Sequence, residues 1–146
     1  MKKIVNDILP SEGFTALTIW PLVFVRRAKE RLFTEVMENH EKIHARQQIE
    51  MLAAGSALAI PLYFIVGWWC LLALPIFFWI YGLEYVVRLV ICRDRYEAYF
   101  SISFEREAYA NQSDAGYLRN RKWYAWTCYL RCRNITLFQN ESRQCP

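Results

Sequence analysis

Apolar and polar positions are sorted into blocks along this chain. The longest apolar block runs from Leu52 to Ile91, LAAGSALAIPLYFIVGWWCLLALPIFFWIYGLEYVVRLVI, forty residues in which Glu84 and Arg88 are the only charges. A membrane-spanning helix takes about 20 apolar residues, so the block has the length of two spans. Gly67, Trp68 and Trp69 sit near its middle, where a tight turn would carry interfacial aromatics. The pattern therefore predicts a helical hairpin over about 52–91, one arm over roughly 50–67 and a returning arm over roughly 70–91. Pro61 and Pro75 would kink these arms, which spanning helices tolerate. Glu84 and Arg88 lie four apart on one helix face and can neutralise each other.

Before this block, Phe14 to Arg27 (FTALTIWPLVFVRR) is rich in β-branched and aromatic residues and reads as strand interrupted at Pro21. From Thr34, a candidate N-cap, Val36, Met37, Ile43 and Ile49 follow a helical period that runs on into the first span. After the block, Arg93 to Cys132 reads as two more helices joined near Asn111–Gly116. The expected architecture is mainly α with a short N-terminal β segment, one membrane-associated domain over 1–133 and a mobile tail over 134–146. There is no internal repeat, glycine-rich phosphate loop or heptad run.

Composition agrees with segregated blocks. Of the 146 residues 55% are hydrophobic and 16% aromatic, yet 22% are charged, close to an ordinary globular share. The net charge of +4 comes from dispersed basic residues, which argues against nucleic acid as a partner. Eight Lys and Arg precede the block, nine follow it from Arg93 onward, and the central turn carries none. The positive-inside rule then places both flanks in the cytoplasm, within an integral inner-membrane protein. Five cysteines, an odd number, fit a reduced compartment. No secretory signal is expected, since MKKIVNDILPSEG reaches Asp7, Pro10 and Glu12 before an apolar core forms. Matches to Asn-x-Ser/Thr at Asn111, Asn134 and Asn140 carry no meaning in a cytoplasmic segment.

The candidate chemistry lies in MENHEKIHARQQIEM. His40 and His44 are the only histidines in the chain, and they flank Glu41 at HExxH spacing. Four apart on a helix, both imidazoles leave one face about one turn apart, as two ligands of a tetrahedral metal must. Glu41 is placed to touch a metal-bound water without binding the metal, as a general base does. A catalytic zinc needs a third protein ligand and an open position. With no histidine left, that ligand must be a carboxylate or a cysteine, and the cysteines lack suitable spacing. Glu105 and Glu107, in SFEREAYANQ, return to the same compartment after the hairpin; Glu84 is a third and weaker candidate. On a helix Glu105 and Glu107 point to opposite sides, so they cannot exchange roles without rotation of the helix.

HExxH followed by Glu107-Ala108-Tyr109-Ala110-Asn111 on a second helix resembles the gluzincin metallopeptidases. It looks most like their membrane branches, the HtpX-type quality-control proteases, the CAAX prenyl endopeptidases and the β-lactam sensor-transducer peptidases. The HEKIH…QQ and FEREAY blocks also look like those of small uncharacterised bacterial proteins. The resemblance implies a zincin-like active-site helix, a Zn2+ cofactor held by His40, His44 and Glu107, Glu41 as catalytic base, and Asn111 as a supporting residue where the families have aspartate. Glu105 is the alternative ligand. Gln47 and Gln48, a turn after His44, are candidates for further support or for a solvated helix face, and Tyr99, Tyr109 and Tyr117 are candidate oxyanion stabilisers. The implied activity is zinc-dependent endopeptidase cleavage of a peptide or protein at the cytoplasmic membrane face. The substrate would be extended along an edge strand at Leu17–Val25. The rival expectation is a non-catalytic metal-binding or structural membrane protein that keeps the fold. With so little chain to wall a cleft, a homo-oligomer or a partner membrane protein is expected beside the lipid bilayer.

Overall fold

The computed structural model describes residues 1–130. The expected tail and the sites at Asn134 and Asn140 lie outside them.

Three strands precede five helices among the described residues. β1 (Lys2–Asn6), β2 (Ala16–Ile19) and β3 (Leu22–Arg26) form a sheet in the order β1-β3-β2, with β1 parallel and β2 antiparallel to β3. The strand run expected over 14–27 thus folds back on itself at Trp20–Pro21, where proline cannot continue a ladder. β3 is paired on both sides. Only the β2 part of Leu17–Val25 is an edge, which removes β3 as a substrate-docking strand.

α1 (Glu35–Val66) is one helix of 32 residues. It starts where Thr34 accepts a hydrogen bond from the Met37 amide at 3.4 Å, satisfying one of the free N–H groups of the first turn. It continues through Pro61, and together with the 3₁₀ stretch Gly67–Ala73 it is long and apolar enough to cross a membrane. Gly67 takes φ 59°, which ends the helix, and the 3₁₀ stretch returns beside α1. That close approach depends on Gly55, because a Cβ there would collide with the Ala73 carbonyl oxygen. α2 (Ile76–Cys92) follows with 17 residues, a later start than the expected arm.

The region expected as two further helices is more broken. α3 (Arg95–Phe100) is capped by Asp94, whose carboxylate accepts from the Tyr96 and Glu97 amides. α4 (Ser103–Asn111) follows at once, then a single turn, α5 (Tyr117–Asn120), and a 3₁₀ turn at Ala125–Tyr129. Met51 of α1, Phe77 of α2, Phe104 of α4, Ile102 and Trp126 form the core that locks α4 between α1 and α2. Phe104 is fully buried, and its ring lies 4.8 Å from Phe77 and 4.5 Å from Trp126. In contrast, Ile60, Phe64, Ile65, Trp68, Trp69 and Val90 are each more than two-thirds exposed. Soluble monomers rarely show so large an apolar surface. Cys128 is disulfide-bonded, which runs against the expected reduced compartment, while Cys70 and Cys92 are free.

Candidate metal centre

The site forms where α1 crosses α4. The HExxH turn lies two turns into α1, and its buried stripe of His40, Glu41, His44, Gln47 and Gln48 faces α4 and β2. His40 Nε2 and His44 Nε2 are 3.0 Å apart. Glu105 of α4 completes the group, its Oε2 3.5 Å from His40 Nε2 and its Oε1 3.3 Å from His44 Nε2. With one ligand atom from each residue, the three donor atoms lie within 4.8 Å of one another, close enough to be drawn onto one metal ion. Glu41 is not among the atoms of this group.

The donor set carries a second sign of a cation. Glu105 Oε2 is buried and has no hydrogen-bond partner, an expensive condition for a carboxylate oxygen. The two rings turn their backs to amide oxygens, with His40 Nδ1 3.2 Å from Gln112 Oε1 and His44 Nδ1 2.8 Å from Gln47 Oε1. Gln47 cannot reverse its amide without loss, because its Nε2 donates to the Phe104 carbonyl at 3.1 Å and to Glu107 Oε2 at 3.0 Å. An amide oxygen only accepts, so His44 donates from Nδ1 and, in its neutral form, directs its Nε2 lone pair toward Glu105 and His40.

Glu105, the alternative of the sequence reading, is therefore the carboxylate at the histidines, and Glu107 is not. Residues two apart on a helix project about 200° apart, so one rotation of α4 serves only one of them. Glu107 is fully buried on the far side, bound by Arg121, by the Tyr117 hydroxyl at 2.8 Å and by Gln47. Asn111 does not reach a histidine either; its amide donates to the Glu107 carbonyl at 2.7 Å and to the Tyr129 hydroxyl at 3.1 Å. The side chain that meets His40 is instead that of Gln112, one residue on. Tyr117 is committed to Glu107, whereas Tyr109 stands edge-on to His40 with ring centroids 4.6 Å apart. Burial, then the Glu105 charge, pushes the Tyr109 hydroxyl up to about 12, so it keeps its proton at neutral pH.

Gln48 supports the sheet rather than a histidine. Its Nε2 donates to the Thr18 carbonyl and its Oε1 accepts from the Trp20 amide, each at 2.8 Å, the pattern that a residue of a parallel strand would make. The free edge of β2 is closed there. Thr18 also donates from its hydroxyl to Glu41 Oε2 at 2.6 Å, which fixes that carboxylate.

Arg121 has no counterpart among the residues singled out from the sequence. Its side chain is fully buried and pairs with both Glu107 and Glu50, and Glu50 also accepts from the Tyr124 amide at 3.0 Å. Arg121→Met leaves the buried Glu107 without its cation and Glu50 with Arg46 alone, 3.6 Å away, and is expected to cost about 3–5 kcal/mol of stability. Unfolding of the detergent-solubilised variant checks this, and unchanged stability would show the network to be dispensable.

Protons at the histidines predict a pH dependence. Burial pushes His44 down, but the charge and hydrogen bonding of Glu105 outweigh it and raise His44 from 6.5 to about 9. Burial pushes Glu105 up, and the two histidines reverse this, holding it far below its ordinary 4.5. A raised histidine stabilises the fold fully below 6.5 and stops doing so as pH rises through about 9. A lowered carboxylate stabilises above 4.5 and stops doing so as pH falls. Metal-stripped protein should therefore lose thermal stability between pH 6.5 and 9, and added zinc should restore more of it the higher the pH. A zinc-induced rise in Tm that shrinks over this range would contradict the pairing.

No protein-family model, curated protein or solved structure matches this chain.

Proposed function

We propose that the protein is a zinc-dependent peptidase of zincin-like fold, set at the membrane face, with the metal held by His40, His44 and Glu105. The observation that carries this reading is the buried Glu105 Oε2, without a hydrogen bond, beside two inward-facing Nε2 atoms. When bound, zinc supplies a water of pKa about 7 and a Lewis acid for the substrate carbonyl. Glu41, held by Thr18, takes the proton of the attacking water and returns it to the leaving amine. Gln47 and Gln112 hold the imidazoles in the tautomer that faces Glu105. Tyr109, protonated and next to His40, is the donor best placed for the developing oxyanion.

The exposed apolar surface of α1, the 3₁₀ stretch and α2 supports a hairpin anchored in lipid, whose first residue, Leu52, lies about 12 Å along α1 from His44. Lys and Arg on both flanks support a cytoplasmic site, and the Cys128 disulfide weighs on the other side.

A second reading, a metal-binding membrane protein that hydrolyses nothing, is favoured by the closure of the site. His40, Glu41, His44 and Glu105 are 6%, 7%, 8% and 3% exposed, as in structural rather than catalytic metal sites. Metal analysis of the purified chain with a peptide-library cleavage assay separates the two. One zinc per chain with metal-dependent cleavage supports the peptidase, one zinc without cleavage supports the second reading, and no bound metal overturns both.

A further inference from the structure

The apolar sequence of α2 hides a polar stripe. Tyr81, Glu84, Tyr85 and Arg88 recur at i, i+3, i+4 and i+7 and so share one face of the helix, while Phe78, Trp79, Leu83, Val87 and Val90 are exposed on the rest. The stripe grips α4. Ile102, the residue that opens α4, gives no side-chain cap; Glu84 supplies one from the neighbouring helix, accepting from the Ser103 amide at 3.1 Å and the Ser103 hydroxyl at 2.6 Å. Arg88 pairs with Glu84 at 2.9 Å and donates to the Leu130 carbonyl.

One turn up the stripe, the Tyr81 hydroxyl donates to Glu105 Oε1 at 2.8 Å. Its ring is not free to swing away, being stacked on Phe104 at 6.2 Å and packed against Phe77 at 5.8 Å. The two oxygens of Glu105 therefore differ. Oε1 accepts a hydrogen bond from a locked phenol and lies 3.3 Å from His44 Nε2, whereas Oε2 has no hydrogen bond and lies 3.5 Å from His40 Nε2.

We propose that Tyr81 is a positioning residue that makes Glu105 a one-oxygen metal ligand, and that through it the apolar helix α2 sets the geometry of the metal centre. This rests on the metal reading above. A phenol hydrogen bond draws density from Oε1 and fixes the carboxylate plane, so the metal meets Oε2 alone; without it both oxygens can turn toward the metal and coordination rises.

The test is cobalt(II) titration of the detergent-solubilised full chain, read by visible absorption, with Tyr81→Phe and, as a control, Tyr85→Phe. Tyr85→Phe removes the same group from the same face, one turn on, where the ring packs on the core. Tyr81→Phe is expected to weaken cobalt binding about 10–100-fold and to replace the intense four-coordinate spectrum by a weaker, higher-coordinate one. Tyr85→Phe should leave both unchanged. Wild-type affinity and spectrum in Tyr81→Phe would overturn the proposal, as would a variant that only melts earlier with its spectrum intact. Should Tyr81→Phe not fold, 3-fluorotyrosine placed at position 81 keeps the shape and strengthens the donor; it must shift the cobalt bands, and unshifted bands overturn the proposal. Wild-type protein that takes up no cobalt would instead remove the metal reading itself, and the proposal with it.

Discussion

Glu105→Ala is expected to abolish zinc retention in protein that still folds, while Glu107→Ala is expected to destabilise the fold far more than it changes the ligand set. The first change removes the carboxylate that meets both histidines, so the metal loses a ligand while the fold loses the His44 pairing and the acceptor of the Tyr81 hydroxyl but keeps the core that locks α4. Two imidazoles alone hold zinc weakly, and the loss should reach several orders of magnitude in affinity, read by metal analysis after dialysis. The second change strands Arg121 against Glu50 and frees the Gln47 amide, at a cost of about 3–5 kcal/mol. Zinc retained in Glu105→Ala and lost in a folded Glu107→Ala would restore Glu107 as the ligand. Comparing the two in one preparation separates ligand loss from unfolding.

The contrast between these glutamates marks how far the sequence could be read. Local rules sufficed for α1. Thr34 caps it, the histidines share a face because four residues make about one turn, and the apolar run behind them is visible in one dimension. Spacing also separates Glu105 from Glu107 as opposite-facing residues, but it does not say which faces α1. That choice is the rotation of α4 about its axis, fixed by contacts distant in sequence: Phe104 against Phe77 and Trp126, and Ser103 in the grasp of Glu84. A family pattern resolves the rotation only where the pattern holds, and here Asn111 stands in place of the acid. Gln112 and Tyr81 escaped for the same reason, since one looks like a turn residue and the other like part of an apolar span. Arg121 escaped because a basic residue among RNRKW carries no sign of burial. The docking strand failed on topology: Leu17–Val25 reads as one edge, and the fold splits it into an edge that Gln48 closes and a centre that is paired on both sides.

For the proposed peptidase, Glu41 is the decisive residue. Glu41→Gln should keep one zinc per chain and a wild-type melting temperature, because the metal group does not draw on this side chain and an amide oxygen in its place can still accept the Thr18 hydrogen bond. What the variant loses is basicity, and a positioned general base contributes about 10²–10⁴-fold, so kcat should fall by that factor with KM little changed. If kcat survives, Glu41 is not the base. If zinc is lost along with activity, Glu41 supports the metal rather than the proton transfer. Thr18→Val distinguishes these outcomes further, because it leaves the carboxylate in place but unheld at Oε2. A base that depends on its orientation should then show a smaller fall in kcat than Glu41→Gln, with zinc content unchanged. A residue that serves only to tie β2 to α1 should show lower thermal stability and wild-type turnover per folded, zinc-loaded chain.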